Sequence, residues 1–228
     1  MDYRYFSTAA GRVAIAPVIV AFHTCLFSAG ILALRKKGTM RKLILAMQVS
    51  LDGFIEGPGG DMSWFVHDDP EQWADLFGMW QSVDLFLLGR GMWADYRNYW
   101  KQALTSSTAP SNELAYAKLA EKTKHIVFSR TLADPGWENT TIIKGPVAEE
   151  VRKLKQAPGK DIQVVGGARL AATILEAGLV DEYRLSIHPV ILGEGKSFFR
   201  DQHARQSLRP GITKTLSSGV IIARYQAK

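Results

Sequence analysis

Residues 162–179 set the terms for the rest of this chain: Ile162-Gln163-Val164-Val165, then Gly166-Gly167, then Ala168-Arg169-Leu170 and a run that closes on Gly178-Leu179. The first four form a short, mostly β-branched strand and the two glycines break it. Leu170, Ile174 and Leu175 then recur at helical spacing until Gly178 stops the helix as a C′ residue. With no Cβ at either glycine the backbone can approach a ligand closely, and the free N–H groups and dipole of the helix start favour a phosphate. Taken alone, the stretch reads equally well as a tight strand-to-helix turn that binds nothing, because a diglycine is far less specific than a full dinucleotide fingerprint.

From Met40 onward predicted strands and helices alternate, which places the chain in the α/β class. Residues 43–49 are almost continuously apolar, the pattern of a strand buried on both faces of a mainly parallel sheet. Asp69 and Pro70 supply an N-cap and an N1 residue, and Trp73, Leu76, Phe77 and Trp80 make a stripe expected to sit in the core. Residues 83–88 form a strand that runs into Gly89-Arg90-Gly91-Met92 and a helix start. Residues 103–111 are a polar connection and residues 113–122 a helix. A strand over 124–128 ends in Ser129-Arg130. A short strand over 140–143, a charged helix over 147–155 and an alternating strand over 181–188 follow, and residues 212–216 and 220–225 read as a terminal hairpin.

The net charge of +6 invites a nucleic-acid reading, but its distribution removes it. Residues 1–42 hold seven basic residues against Asp2, so the remainder, with 21 basic and 21 acidic residues, is formally neutral. A nucleic-acid partner is therefore not expected for the body of the protein. Residues 13–34 carry no charge and include the only cysteine, Cys25; they read as a membrane anchor, an export signal or the product of a start codon set too early. Residues 1–39 are accordingly an extension and residues 40–228 the domain. With its five histidines scattered and no second cysteine, the chain offers no metal site, and no G-x-S-x-G elbow is present.

Open α/β sheets bind ligands beyond the carboxyl ends of their strands. Three strands here end in Gly89-Arg90, Ser129-Arg130 and Gly166-Gly167. Guanidinium forks match phosphate geometry and a helix N-terminus adds to their field, so a ligand with several phosphates such as NADP suits them. The alternative is that both arginines are solvated surface cations.

Several segments, in order, resemble the dihydrofolate reductase-like superfamily in the branch of the riboflavin-biosynthesis reductase, the RibD C-terminal domain. They are Ser50-Leu51-Asp52-Gly53-Phe54-Ile55, Gly60-Asp61-Met62-Ser63-Trp64, Asp84-Leu85-Phe86-Leu87-Leu88-Gly89-Arg90, Val127-Phe128-Ser129-Arg130, Val164-Val165-Gly166-Gly167, Leu179-Val180-Asp181-Glu182 and Pro189-Val190-Ile191-Leu192-Gly193-Glu194-Gly195. The resemblance implies a dihydrofolate reductase-like, mostly parallel central sheet of about eight strands with flanking helices and a C-terminal hairpin, NADPH as hydride donor and, as often in the family, a homodimer. It places Arg90, Ser129 and Arg130 near the NADPH phosphates, and Gly166, Gly167, Ala168 and Arg169 around the pyrophosphate. Met92 departs from it, standing where the family has a threonine hydroxyl.

For the proton, Asp69 matches the position of a carboxylate at the start of the first helix, and Asp52 is a second candidate. An N-cap and a turn explain those two residues equally well. Trp64 is either a wall of the substrate pocket or core. The expected function is an NADPH-dependent, cytoplasmic oxidoreductase that reduces a small pterin-like, ribosylaminopyrimidinone-like or carbonyl substrate. The rival reading is a non-catalytic nucleotide-binding module, membrane-tethered if residues 13–34 are a true anchor.

Overall fold

The computed structural model describes residues 40–199 and 205–228; the expectations for residues 1–39 lie outside them. Strand β1 (Leu43–Ser50) leads to a short β2 (Phe54–Glu56) and helix α1 (Pro70–Trp80). Strand β3 (Val83–Gly89) passes straight into α2 (Arg90–Thr105), followed by α3 (Ser111–Lys122), β4 (Lys124–Phe128), β5 (Thr140–Ile143) and α4 (Val147–Gln156). The opening stretch forms β6 (Asp161–Gly166) and α5 (Ala168–Glu176). The chain closes with β7 (Glu182–His188), a two-residue β8 (Lys196–Ser197) and the hairpin β9 (Leu208–Thr215) and β10 (Ile221–Ala227).

Eight strands make one sheet in the order β5-β4-β3-β6-β1-β7-β10-β9, while β2 and β8 pair separately. The first six are parallel to one another, and the hairpin adds two strands at one edge, β10 antiparallel to β7 and β9 antiparallel to β10. Alternation sorts the side chains. Leu43, Leu45, Leu85, Leu87, Ile162 and Val164 pack on one face against Val151 of α4 and Leu170, Ile174 and Leu175 of α5. Ile44, Phe86 and Leu88 pack on the other against Trp80 of α1, Trp93 and Tyr96 of α2, and Tyr116 of α3. Each such fully buried side chain contributes about 1.5–3 kcal/mol of transfer free energy, so the central strands form one rigid platform.

Local chemistry sets the boundaries. Asp69 caps α1 by accepting from the Glu71 and Gln72 N–H groups at 2.9 and 3.1 Å, with Pro70 in the first turn. Gly178 takes φ +62°, and the Leu179 N–H reaches the Ile174 carbonyl at 3.2 Å, which closes α5 as the sequence indicated. Helix α2 runs to Thr105, three residues into the segment expected to be polar connection, because Ala103 is drawn into the core. Strand β9 begins at Leu208, and Pro210 is accommodated because this is an edge strand. Among the described residues no helix is long and apolar enough to cross a membrane.

Two buried histidines make stability pH-dependent. His125 lies among Trp93, Tyr96 and Trp137, and His188 is fully buried near Trp64 and Phe65; burial pushes both down to about 4, with His67 adding to the effect at His188. Both are neutral when folded, whereas an unfolded histidine takes a proton near pH 6.5. Between pH 6.5 and about 4 the unfolded chain therefore binds more protons, and stability falls as the pH drops through that window. Urea unfolding should lose about 1.5 kcal/mol per histidine between pH 6.5 and pH 5; constant stability over that range would contradict this reading.

Candidate active site

The carboxyl ends of β4, β3 and β6 lie side by side. Gly89 is in register with Phe128, and Leu88 with Gly166. The three turns that follow, at Gly89-Arg90, Ser129-Arg130 and Gly166-Gly167, consequently meet, and all six residues line one cavity of about 1390 Å³ together with Ala168 and Arg169.

The close meeting depends on glycine at two places. Gly167 has φ +102°, and a Cβ there would stand 3.0 Å from both the Cα and the N of Gly89, so the two backbones touch. Gly89 and Gly167 are also the N-caps of α2 and α5, and neither helix has a side-chain cap. Two uncapped helix N-termini thus open on one space, and their N–H groups and dipoles favour an anion there. Gly166 serves a different neighbour: a Cβ on it would lie 2.1 Å from the Met92 sulfur. Met92 therefore fills the position of the expected hydroxyl with a thioether that needs this glycine.

Around the turns stand Arg90, Arg130 and Arg169, all exposed, and among the described residues none of them makes an ion pair. Ser129 is buried, and its oxygen accepts from the Thr131 and Leu132 N–H groups at 3.3 and 2.9 Å. That bonding fixes the Arg130 turn and leaves the hydroxyl proton for a ligand. An uncapped pair of helix starts, three unpaired guanidinium groups and a glycine-permitted close approach fit a dinucleotide pyrophosphate with a further phosphate.

Away from the turns, the same cavity runs between the sheet and helices α1 to α3. Its floor is the sheet face carrying Gln48, Gln163, Arg184 and Ser186; its wall is Trp73, Leu76, Trp80, Trp100 and Tyr116. The stripe packs in the core as expected, with Trp80 buried and Trp73, Leu76 and Phe77 against the same cluster, and three of its members have a second neighbour. They pack with the core on one side, but the floor beneath α1 is polar and does not fill the space against them, so they border the cavity as well. Burial drives the Tyr96 and Tyr116 phenols upward, so both stay protonated.

The carboxylates chosen from sequence lie elsewhere. Asp69 is 2% exposed; it holds the α1 cap and accepts from the Ser218 hydroxyl, and it does not line the cavity. Asp52 is exposed and accepts from the Ser50 hydroxyl at 2.6 Å and from the Gly193 N–H at 2.8 Å, bonds that hold its carboxyl below its usual range. It also stands outside the lining, tying the turn after β1 to the loop after β7. Trp64 packs edge-on against Phe65 and His188, and Phe65 rather than Trp64 reaches the cavity.

Three carboxylates do line it: Glu56, which pairs with Lys196; Asp95, exposed on α2; and Asp75. Asp75 sits in α1 between Trp73 and Leu76, half-buried, with Oδ1 paired to Arg224 of β10 and Oδ2 without a partner among the described residues. The helical spacing offered no signal for it. At about 100° per residue Asp75 stands about 160° around α1 from Trp73, off the aromatic stripe and on the flank that meets Arg224 of β10.

The RibD C-terminal domain family matches residues 41–222. The uncharacterized protein YyaP of Bacillus subtilis is 42% identical over 186 residues, spanning 81% of this chain and 94% of its own length. Among solved structures, the deaminase/5-amino-6-(5-phosphoribosylamino)uracil reductase of Thermotoga maritima superposes with a TM-score of 0.59 at 15% identity, covering 83% of this chain, which spans 57% of that bifunctional protein. The riboflavin biosynthesis reductase Rib7 of Saccharomyces cerevisiae superposes with a TM-score of 0.53 at 14% identity, covering 86% of this chain and 94% of its own.

Proposed function

The chain belongs to the RibD C-terminal domain family, and from that premise we propose that it is an NADPH-dependent reductase of a small, flat substrate. The observation that carries the proposal is the convergence of three strand-end turns, two uncapped helix starts and three arginines on a single cavity whose other end is lined with aromatic rings. When bound, NADPH supplies the hydride. Arg90, Arg130 and the Ser129 hydroxyl hold its phosphates, and the N–H groups of Ala168 and Arg169 hold the pyrophosphate at the start of α5. Trp73, Trp80 and Tyr116 stack against the substrate ring and exclude water. Asp75 passes the proton through Oδ2 while Arg224 fixes Oδ1 and so sets the direction of the carboxyl group.

Titration of the full chain with NADPH, followed by quenching of tryptophan fluorescence, should give a dissociation constant in the micromolar range common for enzyme ligands. Absence of quenching at about 1 mM NADPH, far above that range, would remove the proposal.

A further inference from the structure

The floor of the cavity carries two glutamines whose orientations are set from behind, in the first case by a backbone N–H that can only donate. The Val66 N–H donates to His188 Nδ1 at 3.2 Å, so Nδ1 is an acceptor and the ring proton of neutral His188 resides on Nε2. That proton points at Gln48, 2.7 Å away, and the atom receiving it must be Oε1. Gln72 Nε2 donates to the same oxygen at 3.1 Å. The arrangement is enforced at a cost: it leaves Gln72 Oε1 buried without a partner, yet turning Gln72 over would set two carbonyl oxygens against each other.

Gln163, on the neighbouring strand β6, is locked in the same sense. The Trp80 indole N–H, which can only donate, reaches Gln163 Oε1 at 2.7 Å. Gln48 and Gln163 both line the cavity, and neither amide nitrogen has a protein partner among the described residues. Arg184 adds a guanidinium to the same floor, with its Nε held by Glu182 at 2.6 Å. Gln48, Gln163 and Arg184 therefore offer donors, and no acceptor, to whatever lies on them.

We propose that His188 and Trp80 are positioning residues that lock the Gln48 and Gln163 amides with their N–H groups toward the cavity, so that the part of the floor they form favours a hydrogen-bond acceptor edge of the ligand ring over an amino edge. The inference rests on reading the cavity as the reductase site. The acceptor edge belongs either to the substrate ring or to the carboxamide carbonyl of the cofactor, and both meet the floor through the same chemistry.

The test is equilibrium binding to the full chain at pH 7 of two flat probes of equal size: lumazine, a pteridine dione, and its diamino counterpart, each with and without saturating NADP+. Wild type should bind the dione at least about tenfold more tightly, as expected where a buried donor is left unpaired by the wrong ligand. Gln48→Glu and Gln163→Glu replace a donor with an acceptor of the same shape and should each erase or reverse that preference; a thermal melt checks their folding. A preference that persists with NADP+ present assigns the edge to the substrate. One seen only without it, accompanied by weakened NADP+ binding in the variants, assigns the edge to the nicotinamide carboxamide; either result upholds the donor floor. Equal binding of both probes by wild type overturns it. If NADP+ binds but no edge preference exists, this inference fails alone; if the preference exists but NADP+ does not bind, the reductase reading fails instead.

Discussion

Asp75→Asn is expected to lower the rate of NADPH-dependent reduction by about 10²–10⁴-fold, the range for loss of a general acid, while NADPH affinity stays within about twofold of wild type. Asparagine keeps an acceptor for Arg224, so the pair that orients the side chain survives; what is lost is the ability of Oδ2 to carry a proton. The comparison residues matter as much as the variant. Asp52→Asn should leave the rate nearly unchanged, because that carboxylate is engaged with Ser50, Leu192 and Gly193 outside the cavity. Asp69→Ala should cost about 1 kcal/mol or more of stability through loss of the α1 cap, with the rate per folded molecule preserved. Single-turnover rates on whichever pteridine or quinone the wild type reduces fastest decide the matter. A fully active Asp75→Asn beside an inactive Asp69 or Asp52 variant would reassign the proton donor.

The double substitution Arg90→Ala with Arg130→Ala should weaken NADPH binding by about 10²–10⁴-fold, since a hydrogen bond to a charged group contributes about 1.5–3 kcal/mol and two are removed. Because both arginines are exposed and lack carboxylate partners among the described residues, fold stability should change little. The wild-type affinity should also fall with added salt, and the variant's salt dependence should be shallower. Unchanged affinity in the double variant would mean that these side chains are solvated surface cations.

The fold was legible because its determinants are local and mutually consistent. The apolar run of β1, the Asp69-Pro70 start of α1 and the Gly178 stop of α5 each act over a few residues, and the structure uses each as its pattern indicates. The meeting of the three strand ends was likewise implied by parallel strands that all turn at the same edge. The aromatic end of the cavity was not legible. A stripe of Trp73, Leu76, Phe77 and Trp80 at helical spacing looks the same whether it covers an apolar sheet or a polar one, and only the tertiary register reveals Gln48, Gln163 and Arg184 beneath it. Asp75 was hidden for a related reason. A carboxylate on the flank away from an aromatic stripe reads as solvent-facing and has no local signature, whereas Asp69 had a strong one that belonged to capping. Strand β2 escaped notice because three residues carry too little periodicity, and its partner β8 lies 140 residues from it at Glu56 and Lys196.

The central claim is that the turns after β3, β4 and β6 form one phosphate cradle, and a crystal structure of the NADP+ complex tests it most directly. The account predicts the pyrophosphate oxygens within hydrogen-bond reach, about 3 Å, of the Ala168 and Arg169 N–H groups, with Arg90 and Arg130 on the phosphates and the nicotinamide over the sheet beside Asp75. A dinucleotide seated elsewhere, or phosphates that bypass Gly89 and Gly167, would contradict it.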